Sequence, residues 1–281
     1  MIVTLNDVLT DAQRNRYAVG LFNTVNLEMA KGVLTAAEET KSPVIIGTAE
    51  CLLPYADLEE LAYFLIPMAK KAKVPVVLHF DHGLTPEMVI KAMTLGFSSV
   101  MYDCSTFSFP ENVEWCKDMA RIAKAFGASI EAELGHVGET SNDTTEAGGH
   151  QNLYTDPSQA KAFVDSTHVD ALAVAIGTAH GAYKSKPKLD FERLKAIASV
   201  VDIPLVLHGG SGLSDGEFRD CIRNGISKIN TFTDINIAAA KAAVSRYQAG
   251  LGMTDLMENI VAEVKETTLT KMRLFGCVNK G

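Results

Sequence analysis

Leu205-Val206-Leu207-His208-Gly209-Gly210-Ser211-Gly212 is an apolar run that stops at a histidine and turns at once into glycines. The apolar part reads as a buried strand. The glycines let backbone N–H groups come close to an anion, because no Cβ intrudes. One segment thus offers a metal ligand beside an anion cradle. What recurs around it decides the fold.

Strand-like runs at 17–22, 43–47, 76–82, 98–102, 128–133, 170–176, 205–207 and 226–230 alternate with helical periodicity at 27–40, 57–73, 111–126, 158–167, 190–200 and 214–224. Asp57 reads as a helix N-cap, and Pro86 takes a first helical position. Strict alternation implies a parallel sheet, and eight units predict an α/β fold of the (β/α)8 TIM-barrel kind. A doubly wound open sheet is the alternative, but no strand-order reversal is signalled. A helix at 253–273 forms a C-terminal extension, and residues 1–281 read as one barrel domain. The polar stretch 135–154 exceeds an ordinary connection, which predicts a functional lid or disorder.

Hydrophobic residues make up 47% of the 281 and charged ones 21%, a globular balance with ample core. A formal charge of −8 argues against a nucleic-acid partner. It leaves phosphorylated small molecules open, since local loops bind phosphate. The five cysteines are scattered without C-x-x-C spacing, as in a reducing cytoplasm. No basic-then-apolar leader opens the chain, and no apolar run is long enough for a bilayer, so no membrane role is expected.

A barrel of this kind carries its chemistry at the C-terminal strand ends. Strand three ends at Asp81-His82, strand five at Glu131 and Glu133, strand six at Thr178-Ala179-His180-Gly181, strand seven at His208 and strand eight at Asn230. His82, His180 and His208, brought together, are the donor set of a catalytic zinc site with an open position. His79, two residues before Asp81, shares its side of the strand and reads as a supporting or core residue. His136 and His150 read as loop residues, and His168 lies near a helix end. Gly209-Gly210-Ser211-Gly212 and Asn230-Thr231-Phe232-Thr233-Asp234 follow strands seven and eight, where barrels hold phosphate.

Phe80-Asp81-His82-Gly83, 131–135, 173–181, 208–212 and 230–234 occur in the order found in the class II, metal-dependent ketose-bisphosphate aldolases, and the chain resembles that family over nearly its whole length. The resemblance implies zinc on His82, His180 and His208, supplying Lewis acidity to a ketose phosphate. It implies Asp81 as acid/base at the substrate C4 hydroxyl, and Glu139 as the group that moves the proton at carbon. It assigns Asn23, Gly181, Gly209, Gly210, Ser211, Asn230, Thr231, Phe232 and Thr233 to the substrate. Asp103 and Glu133 match carboxylates of a second metal position. A monovalent cation, Na+ or K+, near the phosphate and a homo-oligomer, dimer or tetramer, are further expectations.

The chain departs from that pattern at two positions. Bisphosphate enzymes carry a basic residue where this chain has Asn236, and fructose-bisphosphate enzymes commonly place Asp where it has Phe232. A lost cation removes a charge-assisted hydrogen bond from a phosphate pocket. The reaction expected is therefore retro-aldol cleavage of a ketose 1-phosphate, or a bisphosphate, to dihydroxyacetone phosphate and an aldehyde, with the unphosphorylated aldehyde favoured. A metal-dependent sugar-phosphate epimerase and a non-catalytic aldolase-like subunit are the alternatives. A Schiff-base aldolase is disfavoured, since Lys228 falls within strand eight rather than at its mouth.

Overall fold

The computed structural model describes residues 1–138, 154–181, 187–245 and 247–281. Eight parallel strands close into a barrel in chain order: β1 (Val19–Asn23), β2 (Val44–Ala49), β3 (Val76–Gly83), β4 (Ser99–Tyr102), β5 (Ser129–Leu134), β6 (Ala171–Val174), β7 (Leu205–Leu207) and β8 (Ile226–Thr231). Closure runs through Val19↔Lys228 and Leu21↔Asn230 between β1 and β8. Every strand residue is buried except His82, which is half-buried. Strands covered on both faces need no polar alternation, which explains their continuous apolar runs.

The helices that cover the barrel are α1 (Leu5–Asn15), α2 (Leu27–Thr40), α3 (Leu58–Lys71), α4 (Pro86–Leu95), α5 (Phe109–Phe126), α6 (Pro157–Thr167), α7 (Phe191–Ala198), α8 (Asp215–Arg223), α9 (Thr233–Ser245) and α10 (Met253–Phe275). Their starts follow side-chain chemistry. Asp57 accepts from the Glu59 N–H at α3, and Thr85 caps α4 with Pro86 in its first turn. Ser214 and Glu217 form a reciprocal box at α8, satisfying two otherwise orphaned donors. The C-terminal α10 packs along α2 and α9, and its Phe275 carbonyl accepts from Ala18 N–H beneath β1 at 3.0 Å. Among the described residues no helix is long and apolar enough to cross a membrane.

Two local features shape the upper barrel. β2 and β3 approach so closely at Gly47 that a Cβ there would lie 1.7 Å from the His79 carbonyl oxygen, so only glycine fits. β6 stops at Val174, short of the residue 176 that the apolar run predicts, because β5 ends opposite it at Leu134 and β7 is only three residues long. The ladder between β6 and β7 is Leu172↔Leu205 and Ala173↔Val206. Beyond it the chain leaves the sheet.

The two-residue period of a strand sends alternate side chains inward. It puts His79 with Asp81, Glu131 with Glu133, and Lys228 with Asn230 toward the barrel interior, where their contacts lie. The upper barrel is therefore filled with buried polar and charged groups above an apolar lower core.

Candidate metal centre and active site

His82 closes β3 at a register shift between Phe80 and Gly83, with its backbone at φ 44°. A non-glycine residue in the left-handed region is costly, and such strain clusters at functional positions. His208 directly follows β7. His180 lies in the loop after β6, pinned by its N–H to the Gly138 carbonyl at 2.8 Å. The expectation that it ends strand six is corrected by the short β6–β7 ladder, yet the loop still delivers it to the same place.

One ring nitrogen of each histidine converges with the others, all three within 4.8 Å. His82 Nε2 and His208 Nδ1 are 2.7 Å apart, close enough to share one proton or to bind one cation together. His180 Nε2 is buried with no hydrogen-bond partner. The opposite nitrogens are committed. His82 Nδ1 bonds Asp103 at 2.8 Å, and His208 Nε2 bonds Glu131 at 2.8 Å. Metal-binding imidazoles are held in this way by carboxylates behind them. Three nitrogen donors beside a cavity fit a divalent metal with an open position.

The electrostatics agree. Burial pulls the His82 imidazole down, but the Asp81 and Asp103 carboxylates outweigh it and push it up to about 10, so the surroundings favour positive charge there. Burial, then His82 and His208, pull His180 down to about 3, which keeps it a neutral donor. Burial also lowers His208. Glu133 is pushed up to about 8 by burial and by Asp103. It sits beside the converging nitrogens, with Oε2 3.5 Å from His208 Nδ1. His82, Asp103 and Glu133 form a second convergent donor group sharing one histidine with the first.

Asp81 faces the same cavity. Asn23 Nδ2 donates to its Oδ2 at 2.8 Å, and Asn230 Nδ2 donates to its two oxygens at 3.0 and 3.1 Å. Burial raises this carboxyl, but His82, His79 and Lys228 outweigh it and hold it well below the usual range. It is an ionised acceptor of fixed direction.

The cavity holds about 440 Å³. Of the predicted site residues it takes in Asn23, Asp81, His82, Asp103, His180, Gly181, Gly209, Gly210, Ser211, Asn230, Phe232 and Thr233. Gly209 has φ 64°, and a Cβ on it would lie 2.4 Å from the Ala179 carbonyl oxygen. That loop and the N-terminus of α9 at Thr233 offer backbone donors to an anion. Thr231 is not brought to the cavity. It follows the inward-facing Asn230, so its buried side chain lies on the outer side of β8. Glu139 lies outside the described residues.

Sequence reasoning missed Ala49, Cys51, Leu52, Leu84, His136 and Val137, which complete the wall. His136, read as a loop residue, is half-buried and its Nδ1 lies 2.9 Å from Ser105 Oγ. The signal was available, because these residues follow β2, β3 and β5 and the strand-end rule applies to them too.

The family model described as "Fructose-bisphosphate aldolase class-II" matches residues 3–280. The "Uncharacterized protein YdjI" of Escherichia coli K12 is 44% identical over 96% of both chains. A solved structure of the E. coli K12 YdjI aldolase superposes with TM-score 0.89 over 100% of this chain and 99% of that one, at 38% identity. The fructose-bisphosphate aldolase of Geobacillus stearothermophilus is 38% identical over 99% of this chain and 98% of its own. The 6-phospho-5-dehydro-2-deoxy-D-gluconate aldolase of Shouchella clausii is 36% identical over 99% and 96%. With a family model matched over residues 3–280 and relatives of this identity over nearly the whole length, the chain belongs to the class II fructose-bisphosphate aldolase family, whose members are lyases.

Proposed function

We propose that this protein reversibly cleaves a ketose 1-phosphate to dihydroxyacetone phosphate and an aldehyde that carries no phosphate. The observation that carries this reading is the cavity wall. It joins His82, His180 and Asp81 to the Gly209–Ser211 loop, with His208 buried next to His82, while Ala49, Leu52, Leu84 and Phe232 add apolar lining. No lysine or arginine lines it among the described residues. Asn236 is exposed and outside the lining. Among the described residues, a second phosphate would thus meet no cation in this wall to offset its desolvation. The name of the S. clausii relative likewise carries a single phosphate.

A zinc ion on His82, His180 and His208 would supply Lewis acidity to the ketose carbonyl during cleavage. Gly209, Gly210, Ser211 and Thr233 would hold the phosphate through backbone N–H and hydroxyl donors. Asp81 accepts the proton of the C4 hydroxyl as the C3–C4 bond breaks, and the bonding electron pair moves toward the C2 carbonyl. C3 then takes a proton, the role the family resemblance gives Glu139, to complete dihydroxyacetone phosphate. In the condensation direction Asp81 returns that proton to the aldehyde oxygen. Asn23 and Asn230 keep its carboxylate aimed at this one position.

The test is retro-aldol turnover of zinc-loaded and chelated protein on a panel of ketose 1-phosphates and on fructose 1,6-bisphosphate. Higher kcat/KM on a ketose 1-phosphate, lost on chelation, is expected. Preference for the bisphosphate overturns the substrate reading, and activity that survives complete metal removal overturns the mechanism.

A further inference from the structure

Lys228 lies in β8 with no exposed surface, and it does not line the cavity. Its ammonium sits 2.8 Å from Glu131 Oε2 and donates to Asn230 Oδ1 at 2.8 Å. Fully buried lysines are rare and need partners. A buried ion pair is also weak support for stability, since apolar replacements of similar volume are often neutral or better. The partners here are informative, because each holds a different half of the site.

We propose that Lys228 is a positioning residue that sets two side chains of the active site at once, His208 through Glu131 and Asp81 through Asn230. This rests on the aldolase reading above. An ammonium has donors only, whereas a carboxamide has a donor end and an acceptor end. Facing Lys228, Asn230 must present Oδ1, because the flipped amide would set N–H against N–H. Its Nδ2 is then left for Asp81, where it donates to both oxygens at 3.0 and 3.1 Å. On the other side Lys228 engages Glu131 Oε2, which turns Oε1 to His208 Nε2 at 2.8 Å. The ring N–H of His208 is thereby placed at Nε2, and the Nδ1 lone pair faces His82 and the metal position. One cation fixes the tautomer on the metal side and the amide orientation on the acid/base side.

The test uses the full chain, with zinc Kd measured by chelator competition and kcat measured at saturating zinc. Lys228→Met is expected to raise the zinc Kd about tenfold or more, the scale seen when groups behind metal ligands are lost. It should also lower kcat about tenfold at saturating zinc, which a purely metal-side role would not do. The double variant Lys228→Met/Glu131→Gln leaves no uncompensated buried charge and guards against misfolding of the single variant. The amide that Glu131→Gln introduces can still accept from His208, so the double variant's kcat at saturating zinc reports the Asn230 branch. Folded double variant with kcat still lowered supports the proposal; wild-type kcat reduces Lys228 to a counterion of Glu131 and overturns it. In an Asn230→Ala background, Lys228→Met should lower kcat no further, and a full additional loss overturns the Asn230 branch. An unchanged zinc Kd in folded Lys228→Met overturns the His208 branch. Wild-type protein that binds zinc but cleaves no ketose phosphate defeats the proposed function instead, and the zinc arm then decides the Lys228 proposal alone.

Discussion

Asp81 bears the proton transfer in the proposed reaction, and three side chains determine what it can do. Asn23 and Asn230 donate to its carboxylate, and His79 Nε2 lies 3.7 Å away. Asp81→Asn keeps the volume and removes the proton acceptor. We expect kcat at saturating zinc to fall about 10²–10⁴-fold, the usual worth of a general base, with the three histidine ligands left in place. Steady-state assays at saturating zinc check this; a kcat within about threefold of wild type, far short of a general base's usual worth, would remove Asp81 from its role. Asp81, His82 and His208 were legible in the sequence because each interrupts an apolar strand at its end. Glu131 was visible as a strand residue, but its partner Lys228 across the barrel was not. Strand parity tells which side chains face inward, whereas pairing across the interior depends on barrel registers that no local pattern encodes.

The loops after the strands depend on backbone conformations as much as on side chains. Gly209 occupies φ 64°, and a methyl group there would lie 2.4 and 2.6 Å from the Ala179 carbonyl oxygen and carbon. Gly209→Ala therefore carries a left-handed penalty of about 1–2 kcal/mol and forces the loops after β6 and β7 apart. The expected result is a lower Tm by thermal unfolding and a KM for the ketose phosphate raised about tenfold or more, since loop geometry carries the anion site. Unchanged Tm and KM would show that the loop tolerates a Cβ and that its glycine is not required for binding. The order of all eight strands and the caps at Asp57 and Pro86 were readable beforehand, because periodicity and capping are local properties. The end of β6 was not, since Ala175 and Ile176 are as apolar and buried as the strand itself. Both neighbours run out there, β7 after three residues and β5 at Leu134 opposite Val174, and the Ala175 backbone bonds Thr155 instead. His136 was passed over although it follows β5, because the aperiodic segment it opens reads as plain loop unless the strand-end rule is carried past Glu133.

Across the whole molecule, the barrel stores opposing proton equilibria at one end. His82 has an ordinary value of 6.5 and is pushed up to about 10, and Glu133 goes from 4.5 to about 8. For both, the folded chain binds a proton that the unfolded chain has released, so their contribution is complete below the ordinary value and drains as pH rises toward the folded value. His180, pulled from 6.5 down to about 3, acts in the opposite sense. There the unfolded chain takes up the proton, and stability is lost as pH falls from 6.5 toward 3. Between about pH 7 and 9 the His82 and Glu133 equilibria govern this site, so the Tm of the metal-free protein should fall as pH rises through that interval. Zinc competes with the proton for His82 Nε2, and that competition eases as protons become scarce. Zinc should therefore raise Tm by an increment that grows from about pH 6.5 to 9, because a ligand that binds only the folded chain stabilises it more as its affinity rises. Differential scanning fluorimetry with and without chelator across this range measures both trends. A metal-free Tm that rises from about pH 7 to 9, or a zinc increment that shrinks, would mean that the proton on His82 does not occupy the place assigned to the metal.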